Sequence, residues 1–190
     1  MEGPYWWAKA AREAYLKIGE EYGATRTRPL YVADFGRLGD RALDVGSGRG
    51  AQSLYIEHEH RYVVRCDLDR RIAAGGEAVE CEATLLPFRD KAFDVVYLVA
   101  VVHHMPREAA AEALREAKRV GRLAVATAWA PEAWRGRRLG GGAWEVPWGG
   151  RAVRIYFEYG VADLLEMAPV RPLSLGFLKR GRHFNIYILF

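Results

Sequence analysis

Apolar residues recur along this chain at two spacings, and the switches between them outline an architecture. Over residues 5–22, Trp7, Ala11, Ala14, Tyr15, Ile18 and Tyr22 fall near one face of a 3.6-residue period, which predicts an amphipathic helix ahead of the main fold. Pro29 suits the first turn of a second short helix reaching about Leu38. A strand over 41–45 then runs into a glycine-rich loop, with a helix over about 50–57 and a second strand over 62–66. Residues 70–76, interrupted by Gly75 and Gly76, form a thin crossover to a third strand over 78–83. The run FDVVYLVAVV over 93–102 is nearly continuous and β-branched, the pattern of a central parallel strand buried on both faces. Pro106 opens a helix to about Val120, followed by a strand over 122–129 and a short helix over 161–167. Strands over 173–178 and 184–190 pair around Lys179-Arg180-Gly181. Strands alternating with helices predict an α/β fold: a doubly wound, mostly parallel seven-stranded sheet finished by an antiparallel C-terminal hairpin.

Residues 131–158 break this alternation. They carry Trp134, Trp144 and Trp148, the run Gly140-Gly141-Gly142, and Arg135, Arg137, Arg138, Arg151 and Arg154. Residues 144–148 and 151–157 flank Gly149-Gly150, a hairpin turn signal. The segment reads either as a structural flap that packs its tryptophans on the core or as a substrate flap. Arginines interleaved with aromatics can hold phosphates and stack bases.

Length and composition narrow the class. A chain of 190 residues suits one domain, and 51% hydrophobic with 27% charged residues is a folding composition. No apolar run approaches the roughly 18 residues a membrane span needs, and no basic segment leads into an apolar one near Met1, so a cytoplasmic protein is expected. The net charge of +4 comes almost wholly from arginine and permits an anionic partner without requiring one. Asn185 and Gln52 are the only side-chain amides, a depletion that fits a thermophile. Cys66 and Cys81 are too few for a disulfide scaffold or a metal cluster, and no metal site is expected. They read either as two small buried hydrophobes or as a bridge between neighbouring strands, which lie about 4.8 Å apart.

The chemistry is concentrated in ALDVGSGRG, a strand that ends in Asp44 and opens into Gly46, Gly48 and Gly50 before a helix. Glycines permit the sharp turn and expose bare backbone to a ligand, and the helix N-terminus offers unpaired N–H groups. Gly46, Gly48 and Ala51 also satisfy the dinucleotide pattern, so a nicotinamide or flavin enzyme is an alternative at this point. Asp67 ends the second strand, where a carboxylate can accept both ribose hydroxyls of either ligand. Glu82 ends the third strand, ahead of an apolar clamp of Leu86-Pro87-Phe88 and Phe93-Asp94.

The stretch EATLLPFRDKAFDVVYLVAVVHHM resembles the corresponding part of class I methyltransferases, which have a Rossmann-like fold. The resemblance implies S-adenosyl-L-methionine as cofactor. It implies that the glycine loop with Asp44, Gly46, Gly48 and Gly50 meets its methionine part, Asp67 its ribose, and Glu82 with the Ala83 backbone its adenine, with Leu68 and Val99 as further cofactor contacts. The family more often has Asp where Glu82 stands. His103 and His104 follow the fourth strand at the substrate rim; His103 is taken as the site-facing member, and the other packs or caps the next helix.

Further motifs, AYLKIGEEYGATRTRPL, AVVHHMPREAAAEALREAKRV, TAWAPEAW and WEVPW, resemble the tRNA wobble-uridine methyltransferases that esterify 5-carboxymethyluridine. A carboxylate is already a nucleophile at neutral pH, so this reaction needs positioning and desolvation and no general base. It also needs a cation to orient a carboxylate. Arg26 matches the subfamily's Thr-Arg pair and takes a catalytic role by that likeness, and Arg28 stands where lysine is frequent. Arg28, Arg135, Trp144 and Trp148 are the expected substrate contacts, with tRNA as partner. Leu30 replaces a common aromatic, and RIYFEYG is short, with Phe157 where a histidine is usual. The resemblance also implies a small zinc-binding activator subunit on the edge strand near Ala78 to Thr84. Competing readings are a methyltransferase for a small carboxylate or carbon acceptor, and a cofactor- or RNA-binding module without catalysis.

Overall fold

The computed structural model describes residues 3–25, 39–73, 77–130, 136–180 and 183–190. Its elements in chain order are α1 (Trp6–Thr25), β1 (Arg41–Val45), α2 (Ser53–Glu59), β2 (Tyr62–Asp67), β3 (Glu77–Glu80), β4 (Phe93–Val99), α3 (Arg107–Val120) and β5 (Gly121–Trp129). Then follow β6 (Arg137–Gly140), β7 (Ala143–Trp148), β8 (Ala152–Phe157), α4 (Val161–Met167), β9 (Ser174–Arg180) and β10 (His183–Leu189). The short helix expected from Pro29 to Leu38 lies outside the described residues.

Seven strands form one sheet in the order β3-β2-β1-β4-β5-β10-β9, parallel from β3 to β5 and antiparallel through β10 and β9. Helices cover both faces, and the central strands supply apolar residues to each. Leu43, Val96, Leu98, Ala124 and Ala126 join Ala110, Ala113, Leu114 and Ala117 of α3 on one side. Ala42, Val95, Tyr97 and Val125 meet Ile56 of α2 on the other. The period of two splits each strand between two cores, and the alanines of α3 let that helix approach the sheet closely. His60 joins loop to sheet: its Nδ1 donates to the Gly39 carbonyl at 2.8 Å and its Nε2 accepts the Tyr97 hydroxyl at 2.8 Å.

Several boundaries differ from the sequence expectations. β4 stops at Val99, because Ala100 takes a left-handed turn (φ +61°) and residues 102–104 coil into a 3-10 turn. α2 starts only at Ser53, since Gly46, Gly48 and Gly50 all have positive φ and hold the loop open. β3 ends at Glu80, so Cys81 to Thr84 form a turn rather than edge strand. The flap contains a further strand, β6, pairing with β7 in a separate sheet ordered β6-β7-β8.

Candidate functional site

A cavity opens at the C-terminal ends of β1, β2 and β4, where parallel strands deliver their loops to one place. Gly46 and Ser47 both donate backbone N–H to the Cys66 carbonyl, at 2.7 and 3.1 Å, which folds the loop over the end of β2. Gly46 has φ +69°, and a Cβ there would stand 2.5 Å from Val101 Cγ2. Gly48 has φ +55° and nothing within 4 Å of where a Cβ would be, so bare backbone faces the cavity. Its N–H donates to Asp67 Oδ2 at 2.8 Å, and the Leu68 N–H donates to Oδ1 at 2.8 Å. Burial pushes the Asp67 carboxyl up to about 6 against the opposing pull of these two bonds.

Two expected cofactor contacts sit behind this wall. Asp44 is buried beneath the loop, where it accepts the Ser53 hydroxyl and burial raises it to about 7. Gly50 turns at φ +80° against Arg65 and does not line the cavity. Both shape the loop from within and lie off the cavity wall. Gly46, Gly48, Asp67, Leu68, Glu82, Ala83 and Val99 do line it.

At the far end, Glu82 accepts the Thr84 N–H at 2.9 Å and the Thr84 hydroxyl, which fixes the carboxylate at the rim; burial raises its pKa. Cys66 and Cys81 form a disulfide with Cα atoms 5.7 Å apart, tying this turn to β2. The apolar clamp lies elsewhere than expected. Leu86 is buried in the core and Phe88 packs edge-on against Phe93 at 5.0 Å. Glu116 of α3 accepts the Leu86 N–H, and Arg119 donates to the Leu86 and Phe88 carbonyls, so this loop is pinned to the helix. Leu68, Ile72 and Ala83 supply the apolar wall in its place.

The other end is aromatic. α1 lends the cavity Tyr15, Gly19 and Tyr22, and the strand ends lend His104, Met105 and Trp129. His104 and not His103 faces the space. The 3-10 turn rotates His103 inward, where it is 1% exposed and its Nδ1 accepts the Trp129 N–H at 3.4 Å. His104 Nε2 meets the Tyr15 hydroxyl at 3.2 Å. Burial and then the positive charge of Arg154 bring His104 down to about 3, and burial holds the Tyr15 phenol well above its ordinary range. At neutral pH this pair is therefore a neutral imidazole hydrogen-bonded to a neutral phenol.

Arg26, Arg28 and Arg135 lie outside the described residues. Trp148 packs at 5.1 Å on Tyr22, one side chain from the cavity. Trp144 is not brought there. Its indole N–H donates to Glu158 at 3.1 Å and its ring lies under Arg138, a structural use on the flap. Sequence reasoning missed Tyr15 and Tyr22 as site residues, having counted them toward a core-facing stripe. Their seven-residue spacing, with Gly19 and Gly23 between and after them, is the signal that this face borders a space.

Residues 43–124 match the family described as Methyltransferase domain. The chain is 29% identical over 171 residues to a candidate methyltransferase of Encephalitozoon cuniculi, covering 80% of this chain and 81% of that one. It is 33% identical over 139 residues to an uncharacterised protein of Mycobacterium tuberculosis, covering 66% of this chain and 50% of the relative, so it spans half of that length. Among solved structures, it is similar to 1,6-didemethyltoxoflavin-N1-methyltransferase of Burkholderia thailandensis with bound S-adenosylhomocysteine. That match has a TM-score of 0.67 at 18% identity and covers 100% of this chain and 90% of that one. An S-adenosylmethionine-dependent methyltransferase of Methanosarcina mazei matches with a TM-score of 0.66 at 16% identity, over 85% of this chain and 97% of the other.

Proposed function

We propose that this chain is a class I S-adenosylmethionine-dependent methyltransferase, a reading supported by the methyltransferase-domain match over residues 43–124, and that it esterifies a carboxylate, that of 5-carboxymethyluridine at the tRNA wobble position. The cofactor supplies an electrophilic sulfonium methyl group. Its site fits the residues present. Asp67 keeps lone pairs for ribose hydroxyls after accepting two backbone N–H groups, Gly48 leaves room at bare backbone, and Glu82 with Ala83 borders the adenine end.

The observation that carries the acceptor class is the neutrality of His104. An imidazole lowered to about 3 takes no proton near pH 7, and the Tyr15 phenol beside it gives none up. Such a site suits a nucleophile that is already charged. The chain's part is to exclude water and to fix the acceptor against Tyr15, Tyr22, His104 and Trp129. The tRNA clause rests on the N-terminal, TAWAPEAW and WEVPW motifs and on the net charge of +4.

The test is transfer of labelled methyl from S-adenosylmethionine to tRNA carrying 5-carboxymethyluridine, with and without a zinc-binding activator. Labelled ester at the wobble base is the expected product, and unlabelled tRNA under both conditions removes the tRNA clause. As part of the proposal, the activator docks along β3, which forms the edge of the sheet.

A small-molecule carboxylate is the second reading, and a specific observation favours it. The flap arginines are engaged by the protein's own acids: Arg137 by Glu145, Arg138 by Glu158 and Arg151 by Glu21. Arginines committed in this way hold phosphates only after giving up those partners. Replacing Arg137 and Arg138 with alanine separates the two readings, since only the RNA reading loses activity.

A further inference from the structure

Arg154 stands apart from the other arginines around the cavity. Arg12 pairs with Asp69, Arg49 with Glu20 and Arg151 with Glu21. Arg154 is only 3% exposed, yet among the described residues no carboxylate pairs with it. Its Nη1 donates to the Tyr156 hydroxyl at 2.6 Å, and the guanidinium lies 5.0, 5.1 and 5.7 Å from the ring centres of Tyr156, Trp148 and Tyr22. Its Nε is buried without a hydrogen-bond partner. Three rings contact the cation, but π faces do not satisfy in-plane N–H donors. A buried charge without a counter-ion is costly and is retained where a partner arrives.

That partner's position follows from the neighbours. Tyr15, Tyr22 and His104 line the cavity and each interacts with Arg154, whose own side chain lies behind them, off the cavity wall. We propose that Arg154 is the specificity-determining cation of the acceptor end, making it select a carboxylate over a neutral group of the same shape. The inference rests on the carboxylate clause above and not on the tRNA clause. The other carboxylate within reach of the site is the cofactor's own. Arg49 is the better placed candidate for that one, because it lies on the glycine loop, lines the cavity and among the described residues pairs with the exposed Glu20 alone.

Calorimetric titration of the protein loaded with S-adenosylhomocysteine tests this without turnover. Two acid and amide pairs serve as probes: 5-carboxymethyluridine with its carbamoylmethyl analogue, and phenylacetate with phenylacetamide. The wild type should bind at least one acid about 10- to 100-fold more tightly than its amide, the range for a hydrogen-bonded charge. Arg154→Met should abolish that preference and Arg154→Lys restore part of it. S-adenosylhomocysteine affinity and Tm serve as controls for folding and for the cofactor site. Preference for phenylacetate without binding of the nucleoside pair keeps Arg154 in its role and removes the uridine. The proposal fails if the wild type prefers neither acid or if Arg154→Met keeps the preference. It also fails if Arg154→Met weakens S-adenosylhomocysteine but not 5′-methylthioadenosine, because the cation then holds the cofactor's carboxylate.

Discussion

The Asp67 carboxylate accepts the Gly48 N–H at 2.8 Å, so the acid at the end of β2 is also the brace of the loop that follows β1. One side chain thus braces the glycine turn and, on the proposed reading, would also meet the cofactor's ribose. Its ordinary pKa of 3.8 is raised to about 6 by burial. The ionised form accepts ribose hydroxyls, so binding favours deprotonation. S-adenosylhomocysteine should therefore bind progressively more weakly as pH falls through 6, by up to about one log unit of Kd per pH unit. In the free protein the linkage to folding has the opposite sense. Stability from this group is fully present below 3.8 and is lost as pH rises through about 6. Asp67→Asn should remove the pH dependence and weaken binding at pH 8 by about 10- to 100-fold. Titration calorimetry across pH 5–8 checks both, and a flat wild-type profile would refute the assignment.

The Cys66–Cys81 disulfide closes a segment of sequence separation 15 that ends beside Glu82. A loop of that size corresponds to about 3 kcal/mol of stabilisation, or roughly 10 °C in Tm for a chain of this length. Reduction, or the Cys66→Ser and Cys81→Ser double variant, should lower Tm by that order and weaken S-adenosylhomocysteine binding, since Cys81 and Glu82 share the cavity wall. Scanning calorimetry with and without a phosphine reductant gives the answer. An unchanged Tm would show the bridge to be energetically idle.

Adjacent histidines should behave oppositely. With His104 neutral down to about 3, kcat at saturating cofactor and acceptor should be level between pH 6 and 8. A limb near pH 6.5 that His104→Gln abolishes would instead identify a general base. His103→Ala should act on the fold, because it removes a buried imidazole that accepts the part-buried Trp129 N–H, at a cost of about 1–3 kcal/mol. Denaturant melts and the pH–rate profile separate the two roles.

The order of the sheet was legible because its central strands are continuous apolar runs bounded by loops, and β1 and α4 fall where the pattern placed them. The convergence of Gly46, Gly48, Asp67 and Glu82 on one cavity was legible for a related reason: strand ends in a parallel sheet share one edge. What escaped was orientation. The continuous apolar run carried β4 through residue 102, but the left-handed Ala100 ends the strand and exchanges the roles of His103 and His104. Leu86 and Phe88 were assigned to the ligand because apolar loop residues beside a site look alike in sequence. Only the bonds from Glu116 and Arg119, thirty or so residues away, commit them to the core. Arg154 is one of several flap arginines in sequence, and only burial distinguishes it.

α1 forms one wall of the cavity over most of its length, from Trp7 to Gly23. It is fastened at its first turns by Arg12 to Asp69 at 2.6 Å and toward its end by Arg151 to Glu21 at 2.8 Å. That wall is therefore held to its surroundings partly by ion pairs with solvent-exposed members, Arg49 to Glu20 among them. Screening those pairs with added salt should loosen this wall and speed exchange of spent cofactor, leaving the methyl-transfer step itself unchanged.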